Sequence, residues 1–158
     1  MSIKKISVGG WIACAAALLT LVSLIVYSSN VGGEGYFHNA SVTNLVLWGV
    51  LALLMLVCAV VLKQLNLRGG AATAVDLVSG ALQIGAPVLL ALALINLIAA
   101  RAEGLGFIYF SNADVALEVQ TPANLASASG AIASMVCFGA ALIVALVAAF
   151  CTLRKKEA

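Results

Sequence analysis

Charge is what this chain has least of. Asp, Glu, Lys and Arg make up 9% of its 158 residues, against roughly 25% in an average soluble domain. A soluble fold must cover its core with polar side chains, and a chain that is 64% apolar does not hold enough of them. Lipid is therefore the solvent for most of the surface. Other scarcities narrow the chemistry. His38 is the single histidine, and the cysteines at 14, 58, 137 and 151 lie inside apolar stretches with no CxxC pair. This argues against a His/Cys metal site and against a disulfide framework in a polar loop. The cysteines read as small packing residues. His38 sits on a glycine-rich loop, so no Ser/His/Asp or Cys/His arrangement is credible. No Gly-rich loop leads into Lys-Ser or Lys-Thr, the pattern of a phosphate cradle. The expectation is a protein with no cofactor and no enzymatic activity. A net charge of +2 with no basic patch among aromatics argues against nucleic acid as a partner.

What is present is four long apolar segments. They predict an all-α membrane protein, a single four-transmembrane-helix bundle with spans at about 9–28, 42–63, 73–100 and 122–153. Trp11 and Tyr27 bracket the first apolar run as interfacial anchors. A basic start before an apolar run is also the form of a signal peptide. The only cleavage point, after Val26-Tyr27-Ser28, lacks the small residue such a site uses, which favours an uncleaved helix. Gly32, Gly33 and Gly35 make 29–41 a loop, with Ser41 or Thr43 as cap of the second helix. An inner turn occupies 64–72. Thr73 and Asp76 have the spacing of a helix-starting box, and Thr121-Pro122 has the form of another helix start.

Residues 101–121 are the longest polar segment. Gly106–Phe110 and Val115–Val119 are short β-type runs around Ser-Asn-Ala-Asp, which predicts a small hairpin on the membrane surface. The alternative for 112–120 is a short amphipathic helix.

Charge placement orients the chain. Lys4, Lys5, Lys63, Arg68, Arg154, Lys155 and Lys156 fall on one side of a four-span layout, seven of the eight basic residues. Arg101 stands alone on the other side, with Glu34, Glu103, Asp114 and Glu118. Positive charge resists translocation, so the expectation is a plasma or inner membrane protein with both termini cytoplasmic.

Small residues recur at helical spacing at Ala126, Gly130, Ser134, Ala141, Ala145 and Ala149, at Gly10, Cys14 and Ala17, and at Gly49 and Ala52. Such stripes mark close helix contacts within one bundle, or in a homo-oligomer. The third segment differs from the others. Asp76, Gly80, Gln83 and Pro87 share one of its faces, and Pro87 frees the carbonyl four residues earlier. That strip is a candidate intramembrane polar site. Asp76 has two readings, an interfacial cap or a buried proton or cation site. Gln83 and Pro87 have two as well, helix contact and kink, or part of a transport path.

The layout resembles that of claudins in its internal termini and β-type outer face, but their outer tryptophan motif and paired cysteines are missing. Small multidrug exporters carry a glutamate deep in the first span, and Trp11–Tyr27 has no acid. Tetraspanins have a cysteine-rich second outer loop, and 101–125 has no cysteine.

Two functions follow as expectations. The first is a non-enzymatic accessory or assembly subunit that recognises a membrane-protein partner through 101–125. Its candidate surface is Phe107, Tyr109, Phe110 and Glu118, since such an aromatic run is costly to leave in water. The second is an oligomeric small-molecule or ion transporter or channel using the Asp76–Pro87 face.

Overall fold

A computed structural model describes residues 7–65, 69–151 and 153. The basic residues Lys4, Lys5, Arg68, Arg154, Lys155 and Lys156 lie outside the described residues. Helix α1 (Val8–Gly32) opens on Ser7, whose hydroxyl accepts the Gly10 N–H at 3.1 Å. Next come α2 (Thr43–Gln64) and α3 (Gly70–Phe110), then the short α4 (Ala113–Val119) and finally α5 (Pro122–Ala149). The fold is helical throughout, with no strand among the described residues. Helices α1, α2, α3 and α5 are each long and apolar enough to cross a membrane. By that measure this is a multi-pass membrane protein built as a four-helix bundle.

The four long helices close into a ring. Helix α1 packs on α2 and α5, and α3 packs on the same two. Two ends follow from this, here called the Lys63 end and the Arg101 end. The interior is made of small side chains: Ala16, Ala52, Ala86, Ala93, Ala141 and Ala145 are fully buried around Leu56, Leu90 and Phe138. Large aliphatics point outward instead, with Leu18 64%, Leu77 76% and Ile143 63% exposed. Where lipid is as apolar as leucine, burying leucine gains little. Close backbone approach and dispersion then select small residues for the contact. The stripes at Gly49, Ala52, Ser134, Ala141 and Ala145 serve this intramolecular core. Cys58 departs from the expected packing role and is exposed on the outer surface of α2.

Several polar side chains inside the apolar region are satisfied by their own helices. Thr20 donates to the Ala16 carbonyl at 2.8 Å, Ser23 to Leu19 at 2.7 Å and Ser134 to Gly130 at 2.8 Å. Asn96 does the same, to Leu92 at 2.8 Å. Each bond is four residues back along the same helix and satisfies a donor without a partner from another helix.

The structure corrects several local expectations. Helix α3 does not stop at 100 but runs 41 residues to Phe110, about 61 Å of helix against roughly 30 Å of hydrocarbon. The β-type run Gly106–Phe110 is its last turns, so the hairpin is replaced by the alternative short helix, α4. The reason is that Leu97, Arg101, Gly104 and Ile108 form one buried stripe at helical spacing, and this tertiary contact outweighs weak β propensity. Helix α3 starts at Gly70, three residues before Thr73, so Thr73 and Asp76 do not form its cap. Val42 occupies the cap position of α2 with no side-chain cap bond, in place of Ser41 or Thr43. The Val42 N–H instead donates to the Tyr27 hydroxyl at 2.5 Å. Residues 29–32 belong to α1. The start of α5 is as expected, with the Thr121 hydroxyl accepting the Asn124 N–H at 3.2 Å ahead of Pro122.

Candidate functional site

The polar strip of α3 is spread over three environments. Asp76 is exposed near the Lys63 end, and its carboxylate meets Lys63 Nζ at 2.7 Å across the α2–α3 turn. Gln83, about two turns deeper, is buried. Its side-chain amide donates to the Ala148 carbonyl and, at 3.0 Å, to that of Cys151. These are carbonyls at the C-terminus of α5, where helical donors run out, and the Ala148 carbonyl also accepts the Cys151 N–H at 3.0 Å. Gln83 thus caps another helix 65 residues away in sequence. Pro87 is buried within a helix that continues through it. Its neighbours are Ala86 and Leu90 of the central core. The strip therefore shares a helix face with its polar groups engaged separately. A groove nearby, between α2 and Leu82, is lined by aliphatic, Met and Cys side chains and offers no polar group.

The Arg101 end is built differently. Sequence reasoning treated Arg101 as a lone outer charge, and the structure buries it to 2% exposure. Its Nη2 donates to the Ala40 carbonyl at 2.5 Å. The guanidinium carbon lies 4.5 Å from the Phe37 ring centroid and 5.9 Å from that of Tyr27. Among the described residues no carboxylate reaches it, and its Nε is buried without a partner. One carbonyl and two aromatic faces offset the desolvation of this cation. Its helical spacing with Gly104 and Ile108 is the signal that could have found it.

A small second core covers Arg101. Phe37 packs with Ile108, Ala128 and Ala131, supported by Ala40, Leu105, Val119 and Leu125. The 33–42 loop enters this core by contacts only glycine permits. Gly35 has φ +105° and lies where a Cβ would stand 2.8 Å from the Ser127 Cβ. A Cβ at Gly104 would stand 2.6 Å from a Tyr36 ring carbon. The Phe37 N–H donates to the Ser127 hydroxyl at 3.1 Å. Within the loop, His38 Nδ1 faces the Gly33 carbonyl at 2.6 Å and its Nε2 faces the Asn39 amide at 2.8 Å. A carbonyl only accepts, so Nδ1 carries a proton and the ring is a structural link within the loop.

The far side of this cap is apolar and open. Phe110 is 88% and Leu117 87% exposed, while Phe107 and Tyr109 are each close to half exposed. Glu118 is exposed on α4. Helix α4 is fixed beneath this surface: Asn112 accepts the Val115 N–H at 3.0 Å, and Gln120 donates to the Ile108 carbonyl at 3.0 Å. Asn124 donates to the Val119 carbonyl at 2.8 Å. Phe107, Tyr109, Phe110 and Glu118 of the expected recognition surface are all exposed at this end, and so is Leu117. Ile108, inside the same run, turns inward.

Comparison with known proteins places nothing beside these observations: no family model, no curated protein and no solved structure matches the chain.

Proposed function

We propose that this protein is a small, non-enzymatic accessory or assembly subunit that docks a membrane-protein partner through the cap formed by the end of α3 and by α4. The observation that carries this reading is the exposure of Phe110 and Leu117 on a rigid projection. Helix α3 is about twice the length a bilayer core needs, so its last turns stand at or beyond the headgroup layer. An apolar patch held there by capped helices gains free energy when a partner covers it. Glu103, Asp114 and Glu118 are exposed around it, which suits a partner with basic residues at its rim.

In this reading the Arg101 end faces outward and both termini lie in the cytoplasm of a plasma or inner membrane. The bias of seven basic residues to the other side supports that orientation. The transporter or channel alternative draws less support, because Gln83 commits its amide to α5 and Asp76 sits in a solvated ion pair.

The test is a double variant, Phe110→Ser with Leu117→Ser, purified in mild detergent beside the wild type. Both side chains are exposed, so the melting temperature should hold while a co-purifying membrane protein is lost. Wild-type protein that runs strictly alone, at the same mass as the variant, removes the proposal. A cysteine placed at Asp114 should label from outside intact cells, and labelling only after lysis reverses the orientation.

A further inference from the structure

The exposed acids and bases at the Arg101 end are of one sign. Glu34, Glu103, Asp114 and Glu118 are all exposed there. Arg101, the one Lys or Arg among the described residues of that end, is buried against Ala40, Phe37 and Tyr27. The carboxylates are interleaved with exposed apolar groups. Glu103, Phe107 and Phe110 are exposed at helical spacing on one face of α3, and Asp114, Leu117 and Glu118 on one face of α4. Tyr36 of the α1–α2 loop, 43% exposed, extends this surface, with its ring centre 6.1 Å from that of Phe107. A lipid surface covers such a pattern poorly. Sinking Phe110 and Leu117 towards the hydrocarbon would carry Glu103, Asp114 and Glu118 with them, against the cost of charge in lipid and towards phosphates of the same sign. A strand is no better, because two helices offer it no sheet edge to extend.

We infer that this surface receives a basic amphipathic helix of the partner protein. The inference rests on the docking role proposed above and supplies the partner's contact chemistry. The helix lays its apolar face on Phe107, Phe110 and Leu117, and its Lys or Arg side chains meet Glu103, Asp114 and Glu118. A cation gains further from the ring faces of Tyr36 and Phe107. A helix also satisfies its own backbone, so apolar contact leaves no N–H or carbonyl unpaired. Charge then selects the partner, because an acidic helix of equal apolarity sets like charge against three carboxylates.

The test places the full chain in phosphatidylcholine nanodiscs and titrates it with a fluorescent Leu/Lys amphipathic peptide or its Leu/Glu counterpart, with empty nanodiscs as the blank. Anisotropy should show the Leu/Lys peptide bound at least about tenfold more tightly, as for two or three exposed charge contacts of roughly two- to threefold each. High salt should shrink that preference. Carbodiimide should couple peptide lysines to Glu103, Asp114 or Glu118. Glu103→Gln, Asp114→Asn and Glu118→Gln together should bring the two peptides to parity, and Phe110→Ser with Leu117→Ser should abolish binding of both. All five positions are exposed, so the fold should survive each variant. Equal binding of the two peptides by the wild type, lost in the double serine variant, overturns the basic partner and leaves the docking surface standing. Binding no greater than to empty nanodiscs, or coupling confined to other carboxylates, also overturns the inference, while the docking role itself is decided separately by co-purification.

Discussion

The guanidinium of Arg101 lies 4.5 Å from the centre of the Phe37 ring while donating to the Ala40 carbonyl, three residues further along the same loop. One cation therefore holds the α1–α2 loop onto α3 from two directions, and it does so with no carboxylate beside it among the described residues. Because acceptor and ring face both offer negative potential, the site is specific for a planar cation. Arg101→Lys should keep the charge and lose the stacking, costing about 1–2 kcal/mol. Arg101→Glu should set a carboxylate against a carbonyl and two ring faces and cost more than about 3 kcal/mol. Thermal unfolding in detergent, with limited proteolysis of the 33–42 loop, reads both. Stability of both variants equal to that of the wild type would show that the cage contributes nothing.

Gln83 makes a parallel link at the Lys63 end. Gln83→Leu keeps the volume but removes the side-chain donor to the Cys151 carbonyl and one of the donors to the Ala148 carbonyl, and losing such hydrogen bonds costs about 0.5–1.5 kcal/mol each. The loss should appear as faster hydrogen exchange in the last turn of α5, with the α1–α2 loop unaffected. If Gln83 lined a transport path instead, liposome flux would change while exchange at α5 did not.

Gly35→Ala should be among the most damaging single-methyl changes in the chain. The backbone there stands at φ +105°, and the added Cβ meets the Ala123 carbonyl and the Ser127 Cβ. Strain of this kind costs on the order of 1–3 kcal/mol. The expected result is a lower melting temperature and protease sensitivity confined to residues 33–42.

The Lys63–Asp76 pair should contribute little. Asp76 is 67% exposed, and an exposed ion pair is worth roughly 0–1 kcal/mol and is screened by salt. Asp76→Asn should leave the melting temperature nearly unchanged at high salt. A large loss of stability there, or of proton-coupled flux, would restore the reading of Asp76 as a buried functional acid.

Much of the fold was legible in the sequence because it depends on length and composition. Four apolar runs long enough to cross a bilayer, and small residues every third or fourth position, are local signals that lipid makes decisive. Thr121-Pro122 marked the start of α5 because a cap needs only neighbouring residues. The end of α3 was not legible in the same way. Gly106–Phe110 favours strand on propensity, and the stripe Leu97, Arg101, Gly104 and Ile108 decides for helix only once the loop aromatics are in place against it.

The candidate sites divide along the same line. Sequence alone determined which residues are polar within an apolar chain, Asp76, Gln83 and Arg101 among them. Only the tertiary structure decided what each is for, because the partners lie far away along the chain. Gln83 meets α5 across 65 residues and Arg101 meets Ala40 across 61. In a membrane a polar group must find its partner within the protein, and which partner it finds is settled by how the helices pack, a property no stretch of sequence carries by itself.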